Sequence, residues 1–298
     1  KEPFVFNPND LTEDTSKVKE YLVAQRGINE DLVDTLISKK YIQQDKNDNA
    51  VFLWAKNREV VGMDKHGTNP SKRFKQVVEN SDEKQGFSIT NGKPENLYLF
   101  ESSIDLLSYS SMYNPNNARM VSMAGLKPQT YYNSVAEIYK ETGQPPQNVV
   151  FALDSDEGGE RFLLEHINNR LEHKESRKTV QNFVASPRHQ DFEQLGTPDD
   201  LSSWNEVKDF NDILTNIKDT DTKMNYQPVV MSKNEYFDKI DYDKKYQKAI
   251  EELELENNGK NKATPKNIAH KIAKYEYHTY ESKEKTKKKD DVEISSFL

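Results

Sequence analysis

No cysteine occurs in this sequence. Disulfide bonds and thiolate zinc sites are therefore excluded within it, and a cytoplasmic setting is the default expectation. Histidine is scarce, with six residues, no HExxH and no close pair on one helix face, so a histidine zinc site is not expected either. A run of 18 apolar residues is also missing, which excludes a helical membrane span and makes a membrane partner unexpected. Hydrophobic residues reach only 34% and charged residues 31%, which points to a limited core with exposed or extended segments. Positive charge is in deficit, the formal net charge being −8. That balance counts against a protein that coats nucleic acid non-specifically, yet leaves room for an enzyme with a local basic groove. The start, Lys1-Glu2-Pro3-Phe4, has neither an initiator methionine nor an apolar signal core. The expectation is a boundary or processed end, with part of the natural protein preceding it.

What is present divides into three textures. Residues 16–25 and 29–39 read as short amphipathic helices broken at Arg26-Gly27, with Asn29 or Asp31 as the cap of the second. Val51–Trp54 and Glu59–Met63, separated at Asn57-Arg58, read as a hairpin, followed by a basic stretch from Lys65 through Lys72-Arg73-Phe74-Lys75. From residue 97 short apolar runs alternate with helical patterns. The runs are 97–100, 118–123, 148–153 and 179–185, and the helices fit 103–113, 128–141 and 159–173. This alternation is the signature of a parallel α/β sheet. Beyond about 225 the chain turns Lys/Glu/Asn-rich. Helices fit 233–256 and 264–281, a solvated helical tail is the expectation, and Lys283–Asp291 is a charge run.

In a parallel α/β sheet, ligands bind beyond the carboxyl ends of the strands. Glu101 and Asp154 both fall where a predicted strand stops, so the fold brings them to one edge. The segment Val149–Gly159 delivers Asp154 and Asp156 from an apolar strand, and Gly158-Gly159 then turn the chain into a helix. Two carboxylates at this spacing can ligate one Mg²⁺, which takes one or two carboxylates and keeps several waters. Other readings of the segment are an EF-hand loop, a dehalogenase-type nucleophile and a plain helix cap. The first lacks a side-chain ligand at Gly158 and follows a strand, the second belongs on an opening strand, and the third leaves Asp156 and Glu101 together unexplained. Asp105 falls one helical turn after Glu101, where a first-turn Asp also suits the helix dipole.

A strand-end Glu followed four residues later by Asp, then a strand-end DxD followed by Gly, resembles the Toprim domain of bacterial primases, topoisomerases and some nucleases. Glu101-Ser102-Ser103-Ile104-Asp105 is similar to the Glu-Gly-Tyr-x-Asp segment of primases, with Ser102 in place of the usual Gly. Asp154-Ser155-Asp156-Glu157-Gly158-Gly159 is similar to their Asp-Gly-Asp-x-x-Gly. Lys208-Asp209-Phe210-Asn211-Asp212 looks like their Lys-Asp-Pro-Asp, with Asn in place of the second acid, a form similar to primase-like proteins of plasmids and other mobile elements. Upstream, Tyr21–Ile28 is similar to the YLxxRGI-like start of the primase core, and the resemblance covers about 16–217. It also implies a zinc module ahead of such a core, which these residues, without cysteine, do not supply.

The resemblance implies a Toprim (Rossmann-like) α/β sheet over 96–225 and an α+β N-terminal subdomain over 1–95, and the composition beyond it adds a helical, partly disordered C-terminal region over 226–298. It implies a primase-like nucleotidyltransferase that joins nucleoside triphosphates on a single-stranded DNA template with Mg²⁺ or Mn²⁺. Asp154 and Asp156 would be the main ligands, Asp105 and Asp209 supporting ones, and Glu101 a ligand or the general base. Lys65, Lys72, Arg73 and Lys208 would meet triphosphate or template backbone, and replication or conjugation proteins are the expected partners. A Toprim nuclease and a catalytically degenerate DNA-binding scaffold are the alternatives, Ser102 and Asn211 favouring the latter. A topoisomerase would need a further DNA-gating domain, for which the remaining chain is too short.

Overall fold

The structure, a computed structural model, describes residues 2–172, 177–191, 207–217, 226–256 and 263–277. The N-terminal part begins with β1 (Leu11–Thr12) and α1 (Ser16–Glu20), which runs on into a π-helical turn at Tyr21–Gln25. Gly27, with φ of 68°, turns the chain into α2 (Glu30–Ser38). Asn29 is its cap, accepting from the Leu32 N–H at 3.0 Å. Four strands follow: β2 (Ile42–Asp45), β3 (Ala50–Lys56), β4 (Glu59–His66) and β5 (Lys75–Val77). They form an antiparallel sheet in the order β1-β2-β3-β4-β5. The expected hairpin is β3–β4, closed by Asn57 and Arg58 at φ of 51° and 70°, the left-handed pair that a two-residue turn between twisted strands requires.

Successive side chains of a strand point to opposite faces, and both faces of β3 are covered. Phe52 and Trp54 join the large core shared with the second sheet, while Val51 and Leu53 pack with Met63, Phe4 and Phe6 on the other side.

The second sheet contains β6 (Ser88–Asn91), β7 (Asn96–Phe100), β8 (Ala118–Ser122), β9 (Asn148–Phe151), β10 (Gln181–Val184) and β11 (Met231–Ser232). Its order is β11-β10-β9-β7-β8-β6. The four inner strands are parallel, as the alternating pattern predicts, and the two edges are antiparallel. The edge strands escaped the sequence because they are short and only partly buried. The helices between are α3 (Ser103–Met112), α4 (Pro128–Thr142), α5 (Glu157–His166) and α6 (Phe210–Asn216). The chain passes from β7 outward to β8, then back across β7 to β9. The strand order therefore reverses at β7/β9, and their carboxyl ends open the crevice where such sheets hold ligands.

The central strands β7 and β9 are buried on both faces, which their apolar runs require. Tyr98 and Phe100 pack with Tyr109, Phe210 and the N-terminal helices. Leu97, Leu99, Val149 and Phe151 pack on the opposite face with Tyr131, Ile138 and Phe162. That second layer also takes in α7 (Lys233–Lys239), α8 (Tyr242–Glu256) and a helix over 265–277, α9. Ile240, Ala249, Leu253, Ile268 and Ile272 are all buried there, and a fully buried Leu or Ile contributes about 1.5–3 kcal/mol. The expected solvated tail is thus core over these residues. The helix expected over 233–256 is broken at Asp241, whose φ is 53°, and the one expected over 159–173 stops at His166. The charge run 283–291 and the end 292–298 lie outside the described residues. Among those described, no helix is long and apolar enough to cross a membrane.

Candidate active site

Each acidic residue is set by a strand end or a helix start. Glu101 is the first residue after β7, and its carbonyl accepts from the Gly125 N–H at 2.8 Å, which ties it to the loop after β8. Ser102 caps α3: its Oγ accepts from the Asp105 N–H at 3.2 Å and donates to Asp105 Oδ2. The serine in place of the usual glycine thus ties Asp105 to the start of α3. Beyond β9, the Ala152 N–H donates to the Leu99 carbonyl at 2.9 Å, so Asp154 leaves the sheet beside Glu101. Asp156 caps α5, accepting from the Gly159 N–H at 2.8 Å. A Cβ on Gly159 would stand 2.1 Å from the Asp154 carbonyl oxygen, so only glycine lets the helix start against the Asp154 backbone. The third acidic segment is held to the second by the Ser155 N–H, which donates to the Lys208 carbonyl at 2.6 Å. Asp209 caps α6 in a reciprocal box with Asp212.

The electrostatics join these segments into one cluster. Burial pushes the Asp154 carboxyl well above the usual carboxylate range, and Asp105, Glu101, Asp209 and Asp156 push in the same direction. Glu101 is raised by burial and then by Asp156 and Asp209, against the pull of Lys75. Asp209 is pushed up to about 7 by burial and by Asp105 and Asp212, while Arg26 opposes. Burial raises Asp105 as well, against the hydrogen bonds from Ser102 and the Asn211 N–H. Mutual repulsion of this kind is relieved by protons or by a cation. Glu101 Oε2 is buried with no hydrogen-bond partner, an acceptor oxygen left for something the chain does not supply.

Among the described residues, no three His, Asp or Glu side chains stand ready to close around an ion. Mg²⁺ needs only one or two carboxylates and completes its shell with water and phosphate, so the donor chemistry fits a hard divalent cation. Glu101, Asp154 and Asp156 are the carboxylates that could hold it, with Asp105 and Asp209 adjoining.

The expected basic residues are placed differently. Lys65 pairs with the nearly buried Asp45 at 3.0 Å and braces β2 to β4, so it is committed within the N-terminal sheet. Lys72 and Arg73 are exposed in the turn between β4 and β5, and Lys208 is exposed beside Asp209. The lysine whose charge acts on both Glu101 and Asp105 is Lys75 on β5. Its place in a basic stretch hid it, since only the strand register singles it out. Asn211 and Asp212 are engaged by other parts of the protein. Asn211 is bonded to Arg26 and Ser108, and Asp212 accepts from the Lys208 N–H at 2.9 Å. A further link escaped the sequence. The fully buried Asp64 of β4 accepts from Trp54 Nε1 at 2.7 Å on Oδ1, its Oδ2 meets His66 Nε2 at 3.1 Å, and Ser103 Oγ lies 3.2 Å from Oδ1 and 3.1 Å from Oδ2. It thereby fastens the N-terminal sheet to the start of α3, two residues from Glu101.

Residues 98–214 match the family model described as Toprim-like, and this part of the chain is a Toprim-like domain. Residues 20–94 match a family described as a protein of unknown function, DUF3991. The uncharacterized protein pXO2-78 of Bacillus anthracis is 36% identical over 166 residues, 52% of this chain. The match takes in about half of that relative's length, 48%. Two solved structures are similar. One is a complex of bacteriophage T7 lagging-strand DNA polymerase with primase domains of two gp4 subunits bound to an RNA/DNA hybrid and dTTP. It matches at 17% identity and a TM-score of 0.38, over 54% of this chain and 77% of that one. The other is the RNA polymerase domain of Mycobacterium tuberculosis primase DnaG with a DNA oligomer bearing an overhang. It matches at 12% identity and a TM-score of 0.39, over 70% of this chain and 72% of that one.

Proposed function

We propose that the chain is the catalytic core of a primase-like nucleotidyltransferase, which joins nucleoside triphosphates on single-stranded DNA in replication or transfer of a mobile element. The observation that carries this reading is the carboxylate cluster at the sheet's crossover point, faced by Lys75 from the N-terminal sheet. Joining a 3′-oxygen to an α-phosphate concentrates negative charge on phosphate oxygens. A divalent cation, Mg²⁺ or Mn²⁺, supplies neutralisation of that charge when bound. Asp154 and Asp156 hold the cation, and Asp105 and Asp209 support them. Glu101, with its unpartnered oxygen, holds the cation or takes the proton of the attacking hydroxyl. Lys75, Lys72, Arg73 and Lys208 meet triphosphate or template backbone. The functional units are read as 1–95, 96–225 and 226–298, the first lending β6 and the last β11 and α7–α9 to the second sheet and its core, and the setting as cytoplasmic.

The test is nucleotide incorporation on single-stranded DNA with Mg²⁺ or Mn²⁺, comparing the wild type with Asp154→Ala/Asp156→Ala. Products from the wild type alone support the reading. Metal-dependent strand cleavage without incorporation would replace it with a nuclease. Neither activity, with no metal binding, would leave a DNA-binding scaffold.

A further inference from the structure

Asn211 stands where the resemblance puts an acid, and its side chain is fully engaged elsewhere. Its Oδ1 accepts from the Arg26 guanidinium at 3.1 Å. Its Nδ2 donates to the Arg26 carbonyl at 2.8 Å and to Ser108 Oγ at 2.9 Å. Its backbone N–H donates to Asp105 Oδ1 at 3.3 Å. Arg26 is itself held, since its Nε donates to the Tyr21 hydroxyl at 3.0 Å and its guanidinium lies 5.2 Å from the centre of the Tyr21 ring. One arginine of the segment 20–94 thus reaches a residue 185 positions later. Through that residue it touches Asp105 and the start of the helix that Asp209 caps.

We infer that Arg26 and Asn211 are positioning residues of the acidic site, and that the segment of unknown function contributes to that site by placing Asp105 and Asp209 through this pair. The inference rests on the reading of the cluster as a cation site. An amide is required at 211, because only an amide accepts from a guanidinium while donating to a carbonyl and a hydroxyl. Aspartate there keeps the attraction to Arg26 but sets a carboxylate oxygen against the Arg26 carbonyl, where the amide nitrogen now stands at 2.8 Å. Restoring the family's acid therefore weakens the site instead of adding a ligand. Lysine at 26 keeps the charge and loses the fork that bonds Tyr21 and Asn211 together.

The experiment titrates Mn²⁺ into the full chain by electron paramagnetic resonance, for wild type, Asn211→Asp, Asn211→Ala and Arg26→Lys, with circular dichroism and thermal unfolding alongside. Asp154→Ala serves as the control for binding at this site. Removing a partner that orients a metal ligand weakens affinity about 10–100-fold. The expected result is Mn²⁺ affinity about tenfold or more weaker in Asn211→Asp, and weaker also in Arg26→Lys, with the wild-type spectrum kept. Should Asn211→Asp fail to fold, Arg26→Lys gives the same reading. Asn211→Asp binding Mn²⁺ as tightly as wild type, or more tightly, overturns the inference and makes Asn211 a lost ligand. Weaker binding in the variants, from a wild type that makes no primers, supports the positioning role and sinks the primase reading alone. A wild type that takes up no Mn²⁺ overturns both.

Discussion

Gly159→Ala is the substitution whose effect on the site follows most directly from distances. The new methyl carbon would lie 2.1 Å from the Asp154 carbonyl oxygen and 3.0 Å from its carbonyl carbon, whereas ordinary contact begins at 3.4 Å. The gap must open by more than about 1 Å, through a shift of α5 or of the Asp154 backbone. Overpacking of this kind costs about 1–3 kcal/mol, and a misplacement of about 1 Å at a reacting centre costs about 10²-fold in rate. Gly158→Ala is the internal control, because its methyl would meet only Asp156 Oδ1 at 3.3 Å and Leu126 Cδ1 at 3.4 Å, both ends of side chains. The assay is metal-dependent nucleotide incorporation, with thermal unfolding of each variant. Gly159→Ala should lose about a hundredfold in rate with a lowered melting temperature, and Gly158→Ala should stay within about tenfold of wild type. Equal activity in both variants would refute the claim that the close approach of α5 fixes Asp154.

Further outcomes follow from other parts of the structure. Asp64→Ala strips the acceptor from Trp54 and Ser103 and leaves His66 unpartnered at that atom. Urea denaturation should show a loss of about 3 kcal/mol, and Asp64→Asn a smaller one. Lys75→Ala should raise the KM for nucleoside triphosphate about tenfold, or ~1.4 kcal/mol, with a smaller change in kcat. An unchanged KM would remove Lys75 from the substrate path. Burial raises the Glu160 carboxyl from about 4.5 to about 7, against the Tyr236 hydroxyl that donates to it, with Glu276 raising it further and Arg188 and Lys245 opposing. The folded chain holds this proton more tightly than the unfolded one. The resulting stability is complete below about pH 4.5 and is lost as pH rises through about 7. Glu160→Gln should therefore lose less melting temperature than wild type between about pH 5 and about pH 8, and parallel curves would contradict that assignment.

The parallel sheet and its acidic edge were legible because both follow from local pattern. Apolar runs ending at Glu101 and Asp154 mark strand ends, and a crossover sheet brings strand ends together whatever their separation. The hairpin at Asn57-Arg58 and the Asn29 cap were legible for the same local reason. The edge strands β6 and β11 were not, since four residues and two residues carry too little pattern to stand out. The C-terminal helices read as a solvated tail because their surface is Lys/Glu-rich, while the Ile268 and Ile272 face that packs on the sheet is narrow. At the site, tertiary partners decided what types alone could not. Lys65 was claimed by Asp45, Asn211 by Arg26, and Asp212 by its own helix start, whereas Lys75 was brought to Glu101 by a strand register that no spacing rule shows.

Anomalous diffraction from crystals of the full chain soaked in Mn²⁺ tests the central claim most directly. The account predicts an anomalous peak bounded by Glu101, Asp154 and Asp156, lost in Asp154→Ala. A peak elsewhere, or none here at an Mn²⁺ concentration that supports nucleotide incorporation, would contradict it.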